Sequence, residues 1–379
     1  MIYLDNAATT FPKPASVVEE IKKCMEDYCG NPGRSGHALS LEAAKKIFGC
    51  RELAARLFGA YDTDRVIFTP NTTYGLNMAI KGLLQRGDHV IISDIEHNAV
   101  WRPIHKLASE GKIEYDVFKT FATSAKCSGA LICANISRLI RPNTRMIVCA
   151  HTSNVCPITL PIKDIGALCR RNGILFVVDG AQSAGHLDIN VEQMNIDALC
   201  LPGHKGLYGP QGSGMLILGK DIAPDTLVEG GNGIDSLSPK MSDDAPERYE
   251  AGTVSTPCIA GLWAGMSYVM ERGVNSIAHT EAALQKRAVY VLKNIKGVSV
   301  YLPEQVGSTV LFNVDGVPSE KTAALLDTHG ICVRGGYHCA PLAHKTLGTP
   351  DGGAVRVSLG IFNQASDIDA LYGALAHGI

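Results

Sequence analysis

Six short apolar runs, each leading into a polar loop, constrain the fold of this chain more than any other feature. They cover residues 66–68, 90–92, 146–149, 174–178, 198–201 and 215–218. Each run is continuously apolar rather than alternating, the pattern of a strand covered on both faces. Helical segments separate most of them. The simplest arrangement is an α/β fold, a large domain whose mostly parallel sheet is flanked by helices. Before the first run, Ser16-Val17-Val18-Glu19 predicts a capping box. Val18, Ile21, Met25 and Tyr28 then recur at helical spacing, and Gly30 closes the helix. After about residue 255 the pattern changes. A long helical region (259–296) leads into short strands near 308–312 and 354–358, which predicts a smaller α+β domain. The expected division is a large domain at 15–255 and a small one made of 1–14 and 256–379.

With 379 residues the chain is long enough for two domains. Apolar residues make up 46% and charged residues 19%, the balance of a soluble globular protein. Lys plus Arg is 35 and Asp plus Glu is 37, a net charge of −2, which offers nothing to a nucleic acid or an anionic membrane. The first residues lack a basic segment followed by an apolar stretch, and the longest weakly polar stretch, 258–270, is too short to span a bilayer. A cytoplasmic location is expected. Twelve cysteines are scattered with no pair at CxxC spacing. Reduced thiols are the expectation, with no metal site, because no spacing matches a zinc module.

In open α/β sheets ligands bind at the carboxyl ends of the strands. Five consecutive loops deliver polar groups there: Thr72 and Thr73, His97, Asn154, Asp179 with Gln182, and His204 with Lys205. Any one of these could be a cap or an ordinary loop residue. Together they suit one ligand. Thr72 and Thr73 open a helix whose free N–H groups favour a phosphate. An imidazole at 97 can stack on an aromatic ring, and Asn154 and Gln182 can hydrogen-bond a ring hydroxyl. Asp179 ends a buried strand, and Lys205 follows it by 26 positions (205 − 179) in a Gly/Pro-rich loop. Pyridoxal phosphate needs such an anion for its ring nitrogen and such an amine for a Schiff base.

A second cluster is Arg334-Gly335-Gly336-Tyr337-His338-Cys339-Ala340-Pro341. Its glycines and Pro341 make it a loop, so Cys339 is expected to be accessible. Arg334 and His338 are expected to favour its thiolate. Arg356 follows on a strand, with a planar fork suited to a carboxylate.

These motifs together resemble the cysteine desulfurases and selenocysteine lyases of the class V aminotransferase family, fold type I of the pyridoxal phosphate enzymes. The resemblance runs from Leu4-Asp5-Asn6-Ala7-Ala8-Thr9-Thr10 to Arg356. Its most specific pieces are Glu96-His97-Asn98-Ala99, Val178-Asp179-Gly180-Ala181-Gln182, Gly203-His204-Lys205, Glu250-Ala251-Gly252-Thr253 and the Cys339 loop. The short cysteine loop is more similar to the group II enzymes. The resemblance implies that Lys205 forms the Schiff base, Asp179 pairs with the pyridinium and His97 stacks on it. It implies that Asn154 and Gln182 touch the ring oxygen, and that Thr73 and His204 touch the phosphate. Thr253 would reach the phosphate of a neighbouring subunit, which implies a homodimer with shared active sites. Arg34 and His37 match a pair near the substrate, Arg356 would hold the substrate carboxylate, and Cys339 would accept sulfur. Three positions depart from the family pattern. Pro202 stands where a serine usually contacts the phosphate, Gly206 is an extra residue after the lysine, and Tyr337 replaces a common histidine.

The reaction implied is conversion of L-cysteine to L-alanine. Lys205 would remove the Cα proton, His97 would accept the thiol proton, and the Cys339 thiolate would take sulfur as a persulfide for an acceptor protein. Selenocysteine lyase, acting on L-selenocysteine and passing selenium to its acceptor, uses the same residues. A class V aminotransferase or epimerase would not use Cys339, and a silent scaffold for sulfur-transfer partners would not need Lys205.

Overall fold

The computed structural model of the chain describes residues 1–33, 36–122, 128–234, 236–302, 304–349 and 351–378. In chain order the strands are β1 (Ile2–Tyr3), β2 (Val66–Thr69), β3 (His89–Ser93), β4 (Glu114–Phe118), β5 (Thr144–Ala150), β6 (Leu175–Asp179), β7 (Ala198–Pro202), β8 (Gly214–Leu218), β9 (Val298–Tyr301), β10 (Thr309–Val314), β11 (Ile331–Cys332) and β12 (Val355–Ser358). The helices are α1 (Ala15–Lys23), α2 (Ala38–Phe58), α3 (Thr72–Leu83), α4 (Asn98–Ser109), α5 (Gly129–Leu139), α6 (Ile162–Asn172), α7 (Thr256–Arg272), α8 (Val274–Lys293), α9 (Ser319–Thr328), α10 (Pro341–Leu347) and α11 (Ala365–Gly378).

The large sheet has seven strands in the order β2-β8-β7-β6-β5-β3-β4. Only β8 runs against its neighbours; β2 and the other five share one direction. The apolar runs are continuous because alternate residues serve two cores. Val66, Phe68, Ile91, Ile147 and Val178 face the layer that holds α2, α5, α6 and α7. Ile67, Val90, Ile92, Val148 and Val177 face α3 and α4. Hence the loops after β2, β3, β5, β6 and β7 leave the same sheet edge.

The expected long helix breaks at Gly273, whose φ of +81° ends α7 and starts α8. Ile259, Leu262 and Met266 of α7 sit in the large core. A three-stranded antiparallel sheet, β12-β10-β9, forms the centre of the smaller region. The N-terminus joins this region, since β1 pairs with β11 and Asp5 bridges to Ser358.

The first helix differs from expectation. It starts at Ala15 after Pro14, with no side-chain cap, so Ser16 lies within its first turn and no capping box forms. Its buried stripe is also rotated. Val17, Cys24 and Tyr28 are buried, whereas Val18 and Met25 are 60% and 61% exposed. The cause is α7, against which α1 packs. Gly261 there has no side chain, and Ile21 fills the space its Cβ would occupy.

Candidate active site

A cavity of about 240 Å³ opens at the carboxyl edge of the large sheet. Each of the five predicted loops contributes to its wall: Thr72 and Thr73 after β2, His97 after β3, Asn154 after β5, Asp179 and Gln182 after β6, and His204 and Lys205 after β7. Arg334, His338 and Arg356 close it from the smaller region, and Ala7 and Ala8 from the N-terminal segment.

Asp179 is buried, and its Oδ1 accepts the Ala181 N–H at 2.9 Å. Burial raises its carboxyl above the usual range, a bias that a cation facing it would reverse. Burial lowers the Lys205 amine to about 8, helped by Arg356 and Arg334 and opposed by Asp179. His97 is lowered to about 4, by burial and then by Lys205. Its Nδ1 accepts the Ala99 N–H at 3.0 Å, so the ring proton sits on Nε2. In this tautomer His97 offers the cavity a donor. The expected role as acceptor of a thiol proton would require it to give up the cap of α4. Glu96, just before it, is wholly buried, and burial raises it to about 8. Its Oε1 accepts from the Ser93 hydroxyl and from the Ala150 N–H.

The lysine loop is braced from two sides. Lys13, Thr9 and Thr10 donate to the His204 carbonyl, and Thr10 also donates to the Lys205 carbonyl at 3.0 Å. On the other side, Gly206 packs so closely that an added Cβ would lie 2.2 Å from the Ala184 carbonyl oxygen and 2.4 Å from His186 Nε2. The extra residue after the lysine is therefore tolerated because it is glycine. Gly206→Ala should lower stability by about 1–3 kcal/mol, read from denaturant midpoints. His186 in turn lies 2.7 Å from the buried Glu281 carboxylate of α8.

Three orphaned polar atoms test whether pyridoxal phosphate fits. Among the described residues, Thr72 Oγ1, His204 Nδ1 and Arg356 Nε are buried without a partner. The first lies at the N-terminus of α3, where the side chain of the cap, Asn71, accepts the Tyr74 N–H. A phosphate answers the needs of Thr72 and His204, and a substrate carboxylate answers Arg356. The residues fit the group.

Arg356 already has partners. Nη2 donates to Asp5 Oδ1 at 2.5 Å and Nη1 to the Asn154 carbonyl at 2.8 Å. Its Nε–H is left without a partner, which a carboxylate would supply, and Arg334 adds a further cation to the cavity wall. Asn154 and Gln182 are also engaged: Nδ2 of Asn154 donates to the His338 carbonyl at 2.7 Å, and Nε2 of Gln182 to the Ala7 carbonyl at 2.9 Å. Their side-chain oxygens take no part in these bonds.

Cys339 is exposed and stands outside this cavity. It lines a second one, of about 350 Å³, that shares Thr73, His97 and Ala99 with the first. Its backbone is left-handed, with φ of +56°, as is that of His338 at +51°. The Asn98 N–H donates to the Cys339 carbonyl at 2.7 Å, which docks the loop on the start of α4. Arg334 Nη2 lies 3.7 Å from the sulfur. His338 does not supply the expected second cation. It is buried and held neutral, its pKa lowered to about 3. Its Nε2–H donates to the Arg334 carbonyl, and its Nδ1 accepts from the stacked His344 at 3.1 Å. Tyr337, at the third departure, rests edge-on against His344, and its hydroxyl accepts the Gly352 N–H.

Not every predicted residue reaches the cavity. His37 is exposed and caps α2. Thr253 is exposed and lines a separate hollow with Thr69, Tyr74 and Glu250. Arg34 lies outside the described residues. Residues that sequence reasoning missed are Asp5, Thr10 and Lys13. Asp5 and Thr10 fall in the Leu4–Thr10 motif, but nothing local linked them to Arg356 or Lys205. No helix among the described residues is long and apolar enough to cross a membrane.

Comparison with known proteins agrees with this geometry. The family described as aminotransferase class-V matches residues 2–371. A probable cysteine desulfurase of Methanothermobacter thermautotrophicus is 32% identical over 98% of this chain and 92% of its own length. The structure of a cysteine desulfurase from Thermococcus onnurineus NA1 superposes with a TM-score of 0.90 at 30% identity, covering 100% of this chain and 94% of that one. A cysteine desulfurase from Escherichia coli superposes with a TM-score of 0.86 at 29% identity, covering 98% and 93%.

Proposed function

The chain belongs to the aminotransferase class-V family, and from that premise we propose that it is a pyridoxal phosphate-dependent cysteine desulfurase that passes sulfur from L-cysteine to Cys339. The observation that carries this reading is the position of Cys339. It stands at the lip of the cavity that holds Lys205, with the Arg334 guanidinium 3.7 Å from its sulfur.

When bound, pyridoxal phosphate supplies a ring that takes up the charge left by loss of the Cα proton. The chain's residues do the rest. Asp179 would hold the ring nitrogen, His97 would cover the ring, and Asn154 and Gln182 would hydrogen-bond the ring hydroxyl. Thr72, Thr73, His204 and the α3 N-terminus would hold the phosphate. Arg356 Nε and Arg334 bind the substrate carboxylate. The Lys205 amine, its basicity reduced by burial, takes the Cα proton. The Cys339 thiolate then attacks the substrate sulfur, and the carbon skeleton leaves as alanine while Cys339 holds a persulfide. An acceptor protein removes that sulfur.

Thr253 and His37 serve the site of a second copy in a homodimer. Their exposure and distance from their own cavity support this reading. Arg34, three residues before His37 in sequence, is assigned to the same task.

Alanine formed from L-cysteine by purified protein, compared with L-selenocysteine, tests the activity. Alanine from cysteine with matched sulfur on the protein supports the reading, and amino-group transfer without sulfur release contradicts it. The amine gives a separate expectation. Lysine lowered to about 8 is neutral above that pH rather than above its ordinary value. The rate at which cofactor-free protein captures pyridoxal phosphate covalently should therefore rise with pH and level off just above about 8. Stopped-flow absorbance checks this.

A further inference from the structure

Two helices frame the second cavity with the same four-residue step. Thr73, Asn77 and Lys81 line it from α3, and Asn98, Arg102 and Lys106 from α4. Residues four apart share a helix face, and α3 packs against α4. The result is a trough headed by Cys339 at the start of α4 and ending on cations. Eight residues at helical rise make it about 12 Å long. Among the described residues no carboxylate lines it. Glu110, beyond the last turn of α4, meets Lys106 at 3.9 Å and Lys112 at 3.0 Å. Arg334, which lines the first cavity 3.7 Å from the sulfur, adds to the positive field.

We infer that this trough binds the sulfur acceptor, and that the acceptor presents its cysteine on an extended acidic segment. The inference rests on the proposed persulfide at Cys339. A trough of this length takes about three or four extended residues. Carboxylates one and two positions from the acceptor thiol would lie along Arg102, Lys81 and Lys106. The acceptor thiolate attacks the outer sulfur of the Cys339 persulfide. The sulfur–sulfur bond breaks, Cys339 leaves as thiolate, and the acceptor carries the outer sulfur with its proton. No external oxidant or reductant is needed. The cations raise the local concentration of such an acceptor and favour its thiolate.

The test is steady-state turnover of the full protein on L-cysteine with three thiol tripeptides: acetyl-Cys-Asp-Asp, acetyl-Cys-Asn-Asn and acetyl-Cys-Lys-Lys. The acidic peptide should exceed the neutral one by about tenfold in kcat/KM at low salt, and the basic one should be slowest. The preference should fade as salt rises. The double variant Lys81→Glu with Lys106→Glu should reverse the order while leaving the single-turnover alanine burst, measured without acceptor, unchanged. Equal rates with all three peptides, or an order that survives charge reversal, would overturn the inference alone. A wild-type protein that gives no alanine burst would overturn the reading on which it rests as well.

Discussion

Lys205→Ala is expected to yield a folded protein that forms alanine from L-cysteine at least ~10³-fold more slowly and holds pyridoxal phosphate without a covalent bond. Among the described residues that line the cavity, this amine is the one side chain able to do both tasks. Its backbone is fixed independently of the side chain, through the Thr10 hydroxyl to its carbonyl and the Tyr208 N–H to the same oxygen. The loop should therefore keep its shape in the variant, and the phosphate groups Thr72 and His204 should still bind the cofactor. Borohydride reduction followed by peptide mapping reads the covalent link directly. Wild type should carry the reduced cofactor at Lys205 and the variant should carry none. Undiminished alanine formation by the variant would remove Lys205 from the mechanism.

Cys339→Ser should separate cofactor chemistry from sulfur transfer. The side chain is exposed, and the loop is held by the backbone bond from Asn98 and by the His338–His344 stack, so stability should change by less than about 0.5 kcal/mol. The bound-cofactor spectrum should match wild type. Alanine formation from L-cysteine should fall by about 10³-fold, because a hydroxyl at this position is a far weaker nucleophile toward sulfur. The second cation matters here too. His338 is neutral throughout the working range, so Arg334, 3.7 Å from the sulfur, is the cation beside Cys339.

The sheet edge was legible because its information is local. Each apolar run and the polar group that follows it are neighbours in sequence, so Thr72, His97, Asn154, Asp179 and Lys205 could be placed on one edge from strand pattern alone. What was not legible depends on distant partners. Arg356 meets Asp5 across 351 positions, and Asn154 meets His338 across 184. No spacing rule reports such pairs. The reading of His338 as a cation failed for a related reason: its burial and its bond to His344 are properties of the folded loop. The first helix failed locally, because Val17 and Cys24 are buried in place of Val18 and Met25, while Ile21 keeps its expected place against α7. The extra Gly206, a departure without meaning in the sequence, gains one from the carbonyl of Ala184 and the ring of His186 packed against it.

The central claim is that sulfur passes to Cys339. The most direct measurement is the mass of the peptide containing Cys339 after a single turnover of wild-type protein with L-cysteine, with no acceptor thiol present. The account predicts that this peptide gains the mass of one sulfur atom, in step with the alanine released, and that other cysteine peptides do not. Stoichiometric alanine with an unmodified Cys339 peptide would contradict it.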